Sequence, residues 1–122
     1  MLDHGVHLDC SICHLRPMTD ADEDQVLELW NQDFVVGNLF MSKTSHDTYR
    51  KYFNAYKTNP NEWRFVIEDA SYKFVGTVGY TRIDAETFSS GLFAMYETVD
   101  PILPAMNVLT GRWLWEEMKF KK

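Results

Sequence analysis

Residues 62–82 constrain the fold more than any other part of the sequence. Trp63, Phe65 and Ile67 alternate with Arg64, Val66 and Glu68, Asp69-Ala70-Ser71 supplies turn chemistry, and Phe74, Gly76, Val78 and Tyr80 then alternate again. Two period-two runs joined by a short polar turn form a hairpin, so an antiparallel sheet sits at the centre of the molecule. Around it, CSICHLRPM at residues 10–18 alternates until Pro17 stops it and reads as a first strand. Thr19 caps a first helix over about 20–32, with Asp20, Asp22, Glu23 and Asp24 in its opening turn and Val26, Leu29 and Trp30 along one face. DFVVGNLFMSKT is less periodic. Ser45 opens a second helix whose Tyr49, Tyr52, Phe53 and Tyr56 make an aromatic core face, ended by Asn59-Pro60-Asn61. After IDAETFSS, the apolar run GLFAMYE is too short for a helix and predicts a buried strand over about 90–97. Pro104 suits the first turn of a last helix in which Met106, Leu109 and Trp113 form one row, widened by Val108 and Trp115.

This order predicts an α/β (α+β) domain, a mostly antiparallel sheet of about four strands flanked by three helices. A chain of 122 residues supports one core, placed here at 12–122 behind a loose terminus at 1–11. The net charge of -6 is dispersed, and no run of Lys and Arg could track a phosphate backbone, which argues against nucleic acid. No stretch approaches a membrane span, the N-terminus lacks the pattern of a secretory signal, and a cytoplasmic setting is expected.

His4, His7, Cys10 and Cys13 read H-x2-H-x2-C-x2-C, a zinc-competent set. All four fall in one short segment that also has to become a strand, whereas structural zinc sites pair two knuckles across a longer loop. No metal is expected, and Cys10 or Cys13 packs inward as a small hydrophobe. The C-x-x-C spacing is not followed by the helix of a thioredoxin-like site, so reduced thiols are the expectation.

The opening HLRPMTDADEDQVLELWNQDFVVGNLFM resembles the start of GNAT-type N-acetyltransferases of the ribosomal-protein and sugar-nucleotide branch, through Leu15, Arg16, Pro17, Asp20, Trp30 and Asn31, with Asn31 where Arg is usual. WRFVIEDASYKFVGTVGYTRID is similar to that family's central hairpin and SSGLFAMYE to its fourth strand, so the resemblance covers about residues 12–120. It implies a GNAT-like fold and acetyl-CoA as cofactor. In the family the main chain of the fourth strand pairs with the pantetheine arm, here at Leu92, Phe93, Ala94 and Met95, and a glycine-rich loop at a helix N-terminus holds the diphosphate. The corresponding stretch here is VDPILPAMN, where Ala105 matches the pattern and precedes Met106, while Asp100, Pro101 and Pro104 add charge or delete N–H donors. Weak coenzyme A binding follows from that departure. For a general base, position at the end of the fourth strand selects Glu97, with Asp84 second, although surface solvation is the commoner account of either carboxylate. Strand and helix positions put the acceptor amine of a small molecule or peptide beside Trp30, Phe34, Asn38, Tyr80 and Arg82.

The fifth strand, following helix and final hairpin of the family have no counterpart in this sequence, so its C-terminal part is expected to be absent. Two function classes are therefore carried forward. One is acetyl transfer to an amine. The other is a non-catalytic module that forms a homodimer, or binds a partner, through the exposed fourth strand or the last helix.

Overall fold

A computed structural model of the chain describes residues 5–39, 44–96 and 102–118. Five strands, β1 (Leu8–Asp9), β2 (Cys13–Pro17), β3 (Glu62–Asp69), β4 (Phe74–Arg82) and β5 (Phe88–Met95), form one antiparallel sheet in the order β1-β2-β3-β4-β5. Four α-helices accompany it: α1 (Glu23–Trp30), α2 (Asp33–Leu39), α3 (His46–Tyr56) and α4 (Ile102–Arg112), the last running on into a π-helical turn at Trp113–Glu117.

The predicted hairpin is the β3–β4 pair, with Phe65 opposite Val78 and Trp63 opposite Tyr80. Because both faces of the sheet are covered, two cores form. On one face Leu15, Phe65, Ile67, Val78 and Tyr80 pack against Ile102, Met106, Trp113 and Leu114. On the other, Val66 and Ala94 pack against Val26, Leu29 and Trp30 of α1, Val35 of α2, and Tyr49 and Phe53 of α3. Trp113 makes edge-on contacts with Trp63, Phe65 and Tyr80 at centroid distances of 5.7, 5.3 and 5.7 Å. Each such pair adds about 0.5–1.5 kcal/mol beyond area burial.

Local chemistry fixes the chain path. Arg16 sends two guanidinium N–H groups to the Asp22 carboxylate at 2.7 and 2.9 Å and a third to Glu68 at 3.2 Å, so Leu-Arg-Pro ties β2 and β3 to the turn that opens α1. Asp22 also accepts the Thr19 N–H at 2.8 Å. Ser45 caps α3 by accepting the Thr48 N–H at 3.1 Å.

Several elements differ from the sequence reading. Residues 20–32 are a 3-10 turn (Asp20–Asp22) followed by α1, because the Arg16–Asp22 clamp sets the entry angle and α1 ends at Trp30. The less periodic stretch contains a fourth helix, α2, anchored by Val35 at 2 % exposure and by Val35 and Val36 N–H bonds to the Gln32 carbonyl. Gly37 lowers its propensity, which is why periodicity missed it. Ahead of β2, where the sequence suggests only a loose terminus, Leu8 pairs with Leu15 and Asp9 with His14 to make a fifth strand. In the last helix Val108 and Trp115 are exposed at 57 and 48 %, and Leu114 is buried instead. The π-helical turn fits one more residue into a turn, and that shifts the inward face from the row a regular helix would present.

Candidate functional site

Two glycines in Val75-Gly76-Thr77-Val78-Gly79 set how closely other groups approach β4. A Cβ on Gly76 would stand 2.5 Å from the Ala94 carbonyl oxygen, so glycine there lets β4 lie against β5. A Cβ on Gly79 would overlap the Arg64 guanidinium, which lies across that position. Between them, the Thr77 hydroxyl accepts the Trp30 Nε1–H at 3.0 Å, with both side chains buried.

The register of β4 and β5 then changes. Gly79 faces Gly91 but Thr77 faces Ala94, so Val78 alone stands opposite two residues, Leu92 and Phe93. This is a β-bulge in β5. Bulges re-aim backbone and side chains at a sheet margin, and here the margin is open: β5 ends the sheet, and among the described residues no strand pairs with its outer edge. Phe88–Met95 carries no charged side chain that would discourage pairing along that edge.

Beside the bulge lies a groove of about 410 Å³ between the sheet and α4. Val78 and Tyr80 form its floor, Ser90 and Phe93 its β5 wall, and Leu103 and Thr110 part of its α4 wall. Phe93 and Leu103 are 37 and 41 % exposed. Tyr80 is buried and hydrogen-bonded to Thr110; burial raises its phenol above the ordinary tyrosine range and the Thr110 bond opposes that shift.

The expected site residues distribute unevenly around this groove. Phe93 lines it, while Met95 packs against the core beneath α4 and Ala94 against the core on the opposite face. Met106 at 2 % exposure lines the groove from α4 and Ala105 is half-buried one residue earlier. The expected acceptor residues do not converge. Tyr80 belongs to the α4 face, whereas Trp30 belongs to the α1–α3 face, and the sheet stands between them. Phe34 is 47 % exposed on α2, and Arg82 holds its guanidinium 5.7 Å from the centre of the Trp63 ring. Asp84 is an exposed turn residue that accepts the N–H groups of Glu86 at 2.8 Å and Thr87 at 3.0 Å. The Glu86 N–H, with help from Thr87, holds its carboxyl below the usual range, opposite to the shift that suits a general base near neutral pH. Glu97 and the side chains of Asn38 and Leu92 lie outside the described residues.

Sequence reasoning missed a buried ion pair on the α1–α3 face. Glu62 and Arg64 are 3 and 7 % exposed, their charged atoms lie 2.8 Å apart, and the Thr81 hydroxyl donates to Glu62 at 2.9 Å. The Arg64 guanidinium also lies 5.5 Å from the centre of the Tyr52 ring. The signal available was Gly79, whose missing side chain makes the room.

No metal set is built from the N-terminal histidines and cysteines that the structure describes. His4 lies outside the described residues, and no three of His7, Cys10, Cys13 and His14 bring ligand atoms together. Glu23, Asp24 and His46 do converge, but Glu23 is already bonded to Arg50 and His46. Among the described residues no helix is long and apolar enough to cross a membrane.

No protein-family model and no curated protein matches the sequence. Solved structures do share its fold. A GNAT-family acetyltransferase from Bacillus anthracis superimposes with a TM-score of 0.77 at 13% identity, over 94% of this chain and 69% of its own. A nucleotide-linked sugar GNAT gives 0.73 at 18% identity, over 94% and 68%. The spermidine N-acetyltransferase of Vibrio cholerae, in complex with CoA and spermine, gives 0.68 at 19% identity, over 84% of this chain and 62% of its own length. The chain thus spans under two thirds of that enzyme. The antiparallel sheet with helices on both faces is the GNAT fold, and the structural neighbours are GNAT N-acetyltransferases.

Proposed function

We propose that this chain is an acetyl-CoA-dependent N-acetyltransferase-like protein of the ribosomal-protein and sugar-nucleotide branch, acting in the cytosol on an amine of a small molecule or peptide. One observation carries the reading: a bulged, charge-free strand, whose outer edge no other described strand pairs, runs beside an apolar groove, in a fold whose neighbours include a CoA complex. An extended ligand with amide groups adds to such an edge as another strand would, main chain to main chain. The residues fit the pantetheine arm. The backbone of Leu92, Phe93, Ala94 and Met95 would hold it, and the groove would shelter its apolar part. When bound, acetyl-CoA supplies an acyl group activated as a thioester.

The fit is poorer at the diphosphate. Helix α4 starts at Ile102, so its first turn offers N–H groups from Ile102, Leu103 and Ala105, while Pro104 has none. Binding is therefore expected with Kd of about 1 mM or somewhat below, on the order of -4 to -5 kcal/mol. Titration calorimetry with acetyl-CoA tests this. Heat that saturates in the high micromolar to millimolar range supports it, and no heat at millimolar ligand ends it. The dispersed net charge of -6 favours a cationic acceptor over an anionic one, and a panel of polyamines and amino sugars with the titrated protein would separate the two.

The same edge, last in the sheet of described strands, supports a second reading, a homodimer joined along β5 with the exposed Trp115 of the helical turn. Pairing across a two-fold axis places identical residues opposite one another, and β5 has no charges to repel. Light scattering at micromolar concentration should give twice the chain mass. Phe93→Lys puts a charge on the edge and should weaken association at least about tenfold; a monomer in the parent protein refutes this reading and leaves the first intact.

A further inference from the structure

The ribbon of β1 and β2 turns through Ser11-Ile12. Leu8 faces Leu15 and Asp9 faces His14, so Cys10 and Cys13 occupy the next rung, closed by the Cys10 N–H on the Cys13 carbonyl at 3.0 Å. Their sulfur atoms lie 3.5 Å apart. Residues directly opposed in an antiparallel pair keep their Cβ atoms about 4.5–5.5 Å apart, and a disulfide needs about 3.5–4.5 Å. Closing that gap asks for a movement of about 1 Å at the tip of the hairpin.

The two sulfurs are not equivalent. Cys13 is fully buried in the core beneath α4, while Cys10 is only half-buried. Burial pushes the Cys13 thiol up to about 12, with its bond to Cys10 adding to the shift. Partial burial also opposes the Cys10 thiolate, but the Ile12 backbone, the Cys13 thiol and the Cys13 backbone hydrogen-bond to it and hold its pKa below the usual thiol value. One sulfur is thus accessible and activated, the other protected and in reach.

We infer that Cys10 and Cys13 form a reversible dithiol–disulfide site, in which Cys10 attacks a low-molecular-weight disulfide of the glutathione class and Cys13 resolves the product. In the first step the Cys10 thiolate forms a bond to one sulfur of the small disulfide and expels the other half as a thiolate. Cys13 then attacks the Cys10 sulfur, losing its proton to water as the new bond forms, which breaks the mixed disulfide and expels the second half as a thiolate; the two small thiolates take up from water the two protons that the cysteines release. Two protein thiols lose two electrons, and one small disulfide becomes two thiols. The bond staples β1, whose Leu8 and preceding Val6 pack against the α4-side core, to the sheet. A metal site is the competing use of a C-x-x-C turn, and the missing third ligand among the described residues argues against it.

The chain contains two cysteines, so the reading is direct. Reduced full-length protein is treated with oxidised glutathione, the remaining thiols are alkylated, and intact mass is recorded. Both alkylation sites should vanish together with loss of two hydrogens and return after dithiothreitol. Peptide mapping of the parent protein during brief alkylation should show Cys10 reacting at least about tenfold faster than Cys13, and Cys13→Ala should accumulate the mixed disulfide at Cys10. Thiols that stay alkylatable, equal rates at the two positions, or stoichiometric zinc that shields both until chelated would each overturn the proposal.

Discussion

Replacing Arg64 with Met isolates a charge that the fold has sealed in. Glu62 and Arg64 are 3 and 7 % exposed and 2.8 Å apart, so their attraction at an effective dielectric constant near 20 is about 6 kcal/mol. Most of that is offset by the cost of taking both ions out of water, and the pair adds little net stability over an apolar match of the same shape. Removing one partner is different. Arg64→Met leaves the Glu62 carboxylate, among the described residues, with the Thr81 hydroxyl as its side-chain partner, in a site beside Tyr52 that is buried from solvent. The expected loss is about 3–5 kcal/mol, a large share of the roughly 5–15 kcal/mol available to a domain of this kind. Urea unfolding followed by tryptophan fluorescence, with four tryptophans as reporters, measures it. Adding Glu62→Gln should return the double variant to within about 1–2 kcal/mol of the parent, because the Gln oxygen still accepts from Thr81 and no charge remains. A single variant within about 1 kcal/mol of the parent, or a double variant no better than the single, refutes the sealed-pair account.

Other outcomes follow from the same geometry. Trp30→Phe removes the Nε1–H bond to Thr77 and leaves a small cavity, so a loss of about 1–3 kcal/mol is expected by urea unfolding, with Thr77→Val recovering part of it in the double variant. Burial opposes the Asp22 carboxylate, but Arg16 and the Thr19 N–H outweigh it and hold its folded pKa below the ordinary value. Its contribution is therefore fully present above the unfolded Asp value of about 3.9 and lost as pH falls through the lower folded value. Asp22→Asn should cost about 1.5–3 kcal/mol at pH 7 and flatten the fall in urea midpoint below about pH 4; a parallel fall in both proteins would reject the assignment. Gly76→Ala forces β4 away from Ala94 and Met95, so it should destabilise by about 1–3 kcal/mol and weaken any acetyl-CoA heat, whereas Gly91→Ala, with open space around it, should do neither.

The local chemistry of this protein was legible in its residues. The alternation of Trp63, Phe65 and Ile67 with Val78 and Tyr80, the Ser45 cap and the Asn59-Pro60 stop each express a preference that neighbouring residues alone enforce, and each became the element expected. The apolar run expected as a buried strand over about 90–97 is instead the edge strand Phe88–Met95, where Ala94 is buried and Phe93 is 37 % exposed, because no described strand packs beyond it. The ordered set also carried the resemblance to the GNAT fold that the solved structures share. Contacts distant in sequence decided the rest. Arg64 and Glu62 look solvent-facing in an alternating strand, and only the helices packed on that second face bury them. Trp30 and Tyr80 look like neighbours around one pocket until the sheet separates them, and a bulge opposite Val78 cannot be read from Leu92-Phe93 without knowing its partner strand. Periodicity reports which way a side chain points along its own element, while burial, register and site assembly depend on what tertiary packing brings to the other side.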